Sequence, residues 1–124
     1  MVMSDNSIEL GRATGRIRVA PAAIAATAAA AILECYGVVG IAGKRTKNGR
    51  AEVLDEGKYD RGIVVAMDAE KVTIDVYVVV EYGVRISEVA HNIITGVGAA
   101  VRRTLGDVTV YVNVNVQGLR ITTT

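Results

Sequence analysis

The sequence predicts an α+β domain of two layers: one mixed or antiparallel sheet of about four to five strands, with two helices on one face. Three stretches carry that expectation. "VTVYVNVNVQGL" (108–119) alternates apolar and polar residues with a period of two, the signature of a strand buried on one side. "ISEVAHNIITGVGAAVRRTL" spaces its apolar residues for one face of a helix. "PAAIAATAAAAILECY" opens on a proline suited to a first helical turn and meets Gly37, a natural helix stop.

The elements follow in the order β-α-β-β-β-α-β. Residues 1–10 are expected to form a flexible tail, leaving 11–121 as a single domain. "GRIRV" (15–19) alternates briefly and reads as a short strand. The alanine-rich helix from Pro21 turns Ile24, Ala25, Ala28, Ala31, Ile32 and Cys35 to one side. "VVGIAG" is a short buried strand, and a long charged connection (44–61) follows it. "GIVVAM" and "KVTIDVYVVVEY" form a hairpin across "DAEK". In the second of these strands Val72, Ile74, Val76, Val78 and Val80 share a face. Gly83 ends that strand, and the second helix runs to Gly106 before the final strand.

Composition narrows the function classes. A chain of 124 residues fits one domain, and an apolar fraction of 51% indicates a packed core. With no Trp or Phe, that core is built from Val, Ile and Ala. A formal net charge of +1 gives no strong field toward nucleic acid or anionic lipid. The single Cys35 rules out an internal disulfide and fits a reducing cytoplasm. The apolar run 21–33 after Arg12, Arg16 and Arg18 imitates a signal peptide, but it falls short of the ~20 apolar residues of a span.

Most catalytic motifs fail on inspection. "GVVGIAGKR" (37–45) has Val38 where a phosphate loop needs its first glycine, and Arg45 where it needs Ser or Thr. "GVGAAVRR" lies inside a helix, so it is not a dinucleotide fingerprint; Gly96 and Gly98 are expected to let another backbone approach. His91 is the only imidazole and has no Cys or carboxylate cluster, so no metal and no cofactor are expected. Ser87 and His91 are one helical turn apart, yet nothing supplies an oxyanion hole. They read as solvated residues, and no enzymatic activity or small-molecule substrate is expected.

Three surface features remain. Tyr77, Tyr111, Asn113, Asn115 and Gln117 fall on the sheet face away from the helices, an uncharged polar row suited to a protein interface or simply to solvent. The first helix is apolar nearly all round; Ala22, Ala26 and Leu33 on its outer side make it a candidate for self-association. Lys44, Arg45, Lys47 and Arg50 form a basic loop, the best nucleic-acid candidate. Glu52, Asp55, Glu56 and Asp60 follow directly and compensate it, so nucleic-acid binding is disfavoured.

The ordered stretches "GRIRVAPAAIAATAAAAI", "GVVGIAG", "IDVYVVVEYGVRISEVAHNI" and "VYVNVNVQGL" resemble the alkaline shock protein family of envelope-stress proteins, found mainly in Gram-positive bacteria. The most specific elements are Tyr82-Gly83 before Ile86, Glu88 and Val89, and Val112-Asn113-Val114 with Gly118. The resemblance implies a non-enzymatic bacterial protein tied to cell-envelope stress or homeostasis. It also implies a cytoplasmic location, with membrane association through a partner protein in some relatives. Protein partners, including further copies of the chain, are the expected ligands.

Overall fold

The structure is a computed structural model, which describes residues 8–11, 16–44, 46, 49–68 and 71–121. It contains a hairpin of β1 (Ile8–Gly11) and β2 (Arg16–Val19), then α1 (Pro21–Leu33) and β3 (Val38–Ile41). A 3₁₀ turn (Glu56–Arg61) precedes β4 (Ile63–Asp68), β5 (Lys71–Glu81), α2 (Ile86–Leu105) and β6 (Thr109–Arg120). The expected order is present from β2 onward. Ile8–Gly11, part of it in the segment read as a tail, adds a strand that the sequence reading did not contain.

β5 organises the main sheet. β6 lies parallel to it along its whole length, from Lys71↔Thr109 to Glu81↔Arg120. A parallel partner needs a crossover, and α2 supplies it. The opposite edge of β5 is shared: β4 pairs antiparallel with residues 71–76 and β3 with residues 78–80. The sheet is therefore mixed, and β3 and β4 lie end to end. They meet at Tyr77, whose N–H donates to the Gly62 carbonyl and whose carbonyl accepts from the Ala42 N–H. Gly62 is required there, because a Cβ would collide with the Ala42 carbonyl oxygen.

Both helices cover one face. Val72, Ile74, Val76, Val78 and Val80 are fully buried and join Ile24, Ala28, Ile32, Val89, Ile93, Val97 and Val101 in one core. Burying each such Val or Ile contributes about 1.5–3 kcal/mol, so five consecutive inward positions on β5 hold the layers together. α1 packs over β3 and β4, and α2 over β6. At about 1.5 Å per residue, α2 is roughly 30 Å long and matches β5.

Two local expectations change. α1 ends at Leu33 and not beside Gly37, because the Cys35 N–H turns to the Ile32 carbonyl, three residues back. Gly96 and Gly98 admit no second backbone. A Cβ on Gly96 would stand 3.9 Å from Cys35 Sγ, and one on Gly98 would meet the Arg102 guanidinium at 3.1 Å.

Candidate functional site

The polar row forms as the alternation requires. Thr73↔Tyr111, Asp75↔Asn113 and Tyr77↔Asn115 face one another across β5 and β6, on the side away from the helices. Its amides are engaged within the molecule. Asn113 Nδ2 donates to Asp75 Oδ1 at 2.8 Å, and Asn115 Nδ2 to the Val76 carbonyl at 3.2 Å. Gln117 Nε2 donates to the carbonyls of Gly43 and Lys44 at 3.2 and 2.9 Å. Tyr111 is exposed, and Lys71 Nζ stands 4.9 Å from its ring centroid, within cation–π range. Tyr77 is half-buried.

One end of this face is covered. Gly40, Val79 and Gly118 stand in register across three strands. A Cβ on Gly40 would lie 2.5 Å from Val53 Cγ1, and one on Gly118 would lie 3.2 Å from Ala51 Cβ. The segment holding Ala51 and Val53 thus straps the row. It is fastened by the Ala42↔Val53 bridge and by Leu54 N–H donating to the Ile41 carbonyl at 2.8 Å. Val79, on the face away from the helices, is only 2% exposed beneath it.

Of the basic loop, Lys44 and Arg50 are exposed, while Arg45 and Lys47 lie outside the described residues. The Lys44 backbone is tied down, its N–H donating to the Arg61 carbonyl and its own carbonyl accepting from Gln117. Ser87 and His91 are both exposed on α2. Among the described residues no group of His, Cys, Asp or Glu is placed to hold a metal. Cys35 is a free thiol whose Sγ donates to the Ala31 carbonyl at 3.4 Å. Burial, and secondarily Glu34, pushes its pKa upward.

The outer side of α1 is exposed at Ala22, Ala26, Ala30 and Leu33, as its composition requires. With Glu56, Gly57, Tyr59 and Asp60 of the 3₁₀ turn it forms an open groove of about 800 Å³. A second surface was missed by sequence reasoning. Of the nine large apolar side chains exposed among the described residues, Tyr36, Tyr82, Ile86, Leu119 and Ile121 gather at one end of the molecule. The Glu81 N–H donates to the Gly37 carbonyl and the Tyr82 N–H to that of Arg120, which brings their three segments together. Tyr36 also lines a small hollow of about 240 Å³ with Gly83, Val84, Arg85 and Glu88. The available signal was a repeated dipeptide. Tyr36 and Tyr82 each precede a glycine with positive φ, +88° at Gly37 and +96° at Gly83, so each ring sits on a sharp turn.

Fold and surfaces together define a small two-layer α+β domain whose distinctive exposed features are apolar patches and an amide-rich polar row that includes Asp75. No helix among the described residues is long and apolar enough to cross a membrane. The sequence profile of the alkaline shock protein family, described by a cell envelope-related function, matches residues 9–121. The chain belongs to that family. It is 43% identical over 117 residues to "Uncharacterized protein YloU" of Bacillus subtilis (strain 168), covering 94% of this chain and 98% of that one. It is 33% identical over 116 residues to "Uncharacterized protein Spy1614" of Streptococcus pyogenes serotype M6, covering 93% and 96%. Neither name indicates an enzymatic activity. No solved structure shows significant similarity.

Proposed function

We propose that the domain is a non-enzymatic protein-interaction module that scaffolds a cell-envelope stress or homeostasis function. It works on the cytoplasmic side, by self-association and by docking on an envelope-linked protein. The observation that carries this reading is the gathering of Tyr36, Tyr82, Ile86, Leu119 and Ile121 at one end. Apolar side chains that converge on a surface favour a protein contact over solvent. The outer strip of α1, from Ala22 through Ala26 to Leu33, leads toward that end and extends the surface. Tyrosine supplies apolar area with a polar tip and little rotamer entropy to lose, which suits an interface.

The test compares the wild-type chain with a Tyr36→Ser, Tyr82→Ser variant in cross-linking from the native host. Both rings are mostly exposed, 78% and 68%, so the fold tolerates the change. The wild type should recover a membrane-fraction protein that also binds it in purified form, and the variant should lose that protein. Equal recovery by both chains, or no directly binding protein, would reject the reading.

A further inference from the structure

β6 is an edge strand of 12 residues. It pairs only with β5, so the backbone groups on its outer side have no strand partner among the described residues. Long edges are usually guarded by charge or proline. Residues 109–119 contain neither. The core side of this edge is incompletely covered: Val110, Val114 and Val116 are half-buried and Leu119 is 50% exposed. Ile94, 42% exposed, overhangs the same edge. Gly96 marks the flank of α2 that faces α1, and at 3.6 residues per turn Ile94 lies about 160° around from it.

The same chain carries a ribbon without a sheet. Among the described residues the backbone of β1 and β2 pairs mainly with itself, and Val19 packs against the core. An isolated two-stranded ribbon is marginal in water. Its register pairs Ile8 with Val19 and Leu10 with Ile17, while Glu9 pairs with Arg18. Apolar and charged positions therefore alternate along both strands.

We propose that the outer edge of β6 accepts the β1–β2 hairpin of a second copy of this chain. The hairpin extends the sheet and brings its apolar positions beside Val110, Val114 and Ile94. This rests on the interaction-module reading above and names the surface through which the module self-associates.

Two geometric facts choose the occupant. β2 runs through Ala20 alone into α1, which lies over β3 and β4, so a hairpin cannot reach β6 of its own sheet. A symmetric β6–β6 pairing fails for a different reason. α2 lies over β6, and paired strands stand about 5 Å apart. Two α2 axes would be forced well inside the roughly 8–10 Å that packed helices need. The hairpin carries no helix over its strands and fits beside the edge. Each copy then holds one donor and one acceptor, which makes the contact head-to-tail.

The test is sedimentation of the full chain over a concentration series, with amide exchange followed along β6. The wild type should rise above its single-chain mass of 13.0 kDa, with β6 amides slowing as it does. Leu10→Pro removes a ribbon N–H, and Ile94→Lys with Leu119→Lys charges the acceptor; each alone should remain single. Their equimolar mixture should form a pair and stop at two, since only one donor and one acceptor remain. Circular dichroism should show both variants folded, because the backbone of the ribbon pairs mainly with itself and both lysines replace exposed residues. A wild type that stays single throughout, or a Leu10→Pro chain that associates like the wild type, would overturn the proposal. In either case the cross-linking result at Tyr36 and Tyr82 decides the interaction-module reading separately.

Discussion

Asn113 donates from Nδ2 to Asp75 Oδ1 at 2.8 Å, joining two residues that face each other across the parallel β5–β6 pair. The bond is exposed, so it contributes to register more than to stability. Asn113→Ala should cost about 0.5–1 kcal/mol, the scale of one solvent-accessible hydrogen bond. Denaturant titration would measure it.

The neighbouring residue on β6 behaves oppositely. Val112 is 9% exposed and belongs to the core, so Val112→Asp buries a carboxylate with no partner. The loss should exceed about 4 kcal/mol and leave the chain largely unfolded at room temperature by circular dichroism.

The strap over Val79 can be tested as a pair. Gly40→Ala places a Cβ 2.5 Å from Val53 Cγ1. That overpacks the contact by about 1–3 kcal/mol. Val53→Ala removes the offending methyl. The double variant should therefore recover most of the loss caused by Gly40→Ala, and a thermal double-mutant cycle would show the coupling.

Cys35 should alkylate slowly near neutrality. Its thiol pKa is raised by burial and, less, by the Glu34 carboxylate. The rate should climb through a pH range above the ordinary thiol value, and Glu34→Gln should move the profile to lower pH. The sign for stability follows from the same shift. The thiol of the unfolded chain ionises first, so stability falls as pH rises past the unfolded pKa and levels off above the folded one. Alkylation rates and thermal midpoints across pH measure both.

Ala26 probes the outer side of α1. Its side chain is exposed on the groove beside the 3₁₀ turn. Ala26→Glu should therefore leave stability within about 0.5 kcal/mol of wild type. Capture of the docking protein by the purified chain should weaken. An unchanged affinity would remove α1 from the docking surface.

Legibility in the sequence tracked how local each feature is. The inward faces of β5 and α2 were readable because period-two and 3.6-residue patterns are written in consecutive residues. Ile86 and Ile94 fit the same helical stripe yet are exposed, since a wheel does not say where the sheet ends. Val79 lies on the face that alternation assigns it, but its burial was not readable because the cover comes from Val53, far back in the chain. β1 has four residues, too few for a pattern to stand out. The amides of Asn113, Asn115 and Gln117 were placed on the right face, but their acceptors on Asp75, Val76, Gly43 and Lys44 depend on strand order. That order is a long-range choice that alternation alone does not make.

The end-to-end meeting of β3 and β4 at Tyr77 coincides with other breaks in the ladder. The β5–β6 register shifts between Val78 and Val79, and the β3 register shifts between Val38 and Gly40. These interruptions fall on neighbouring levels, so the sheet carries a transverse crease that only β5 crosses without a fault. Bulges increase local twist and bending. The sheet therefore bends and twists most along this line, beneath the layer formed by α1 and α2.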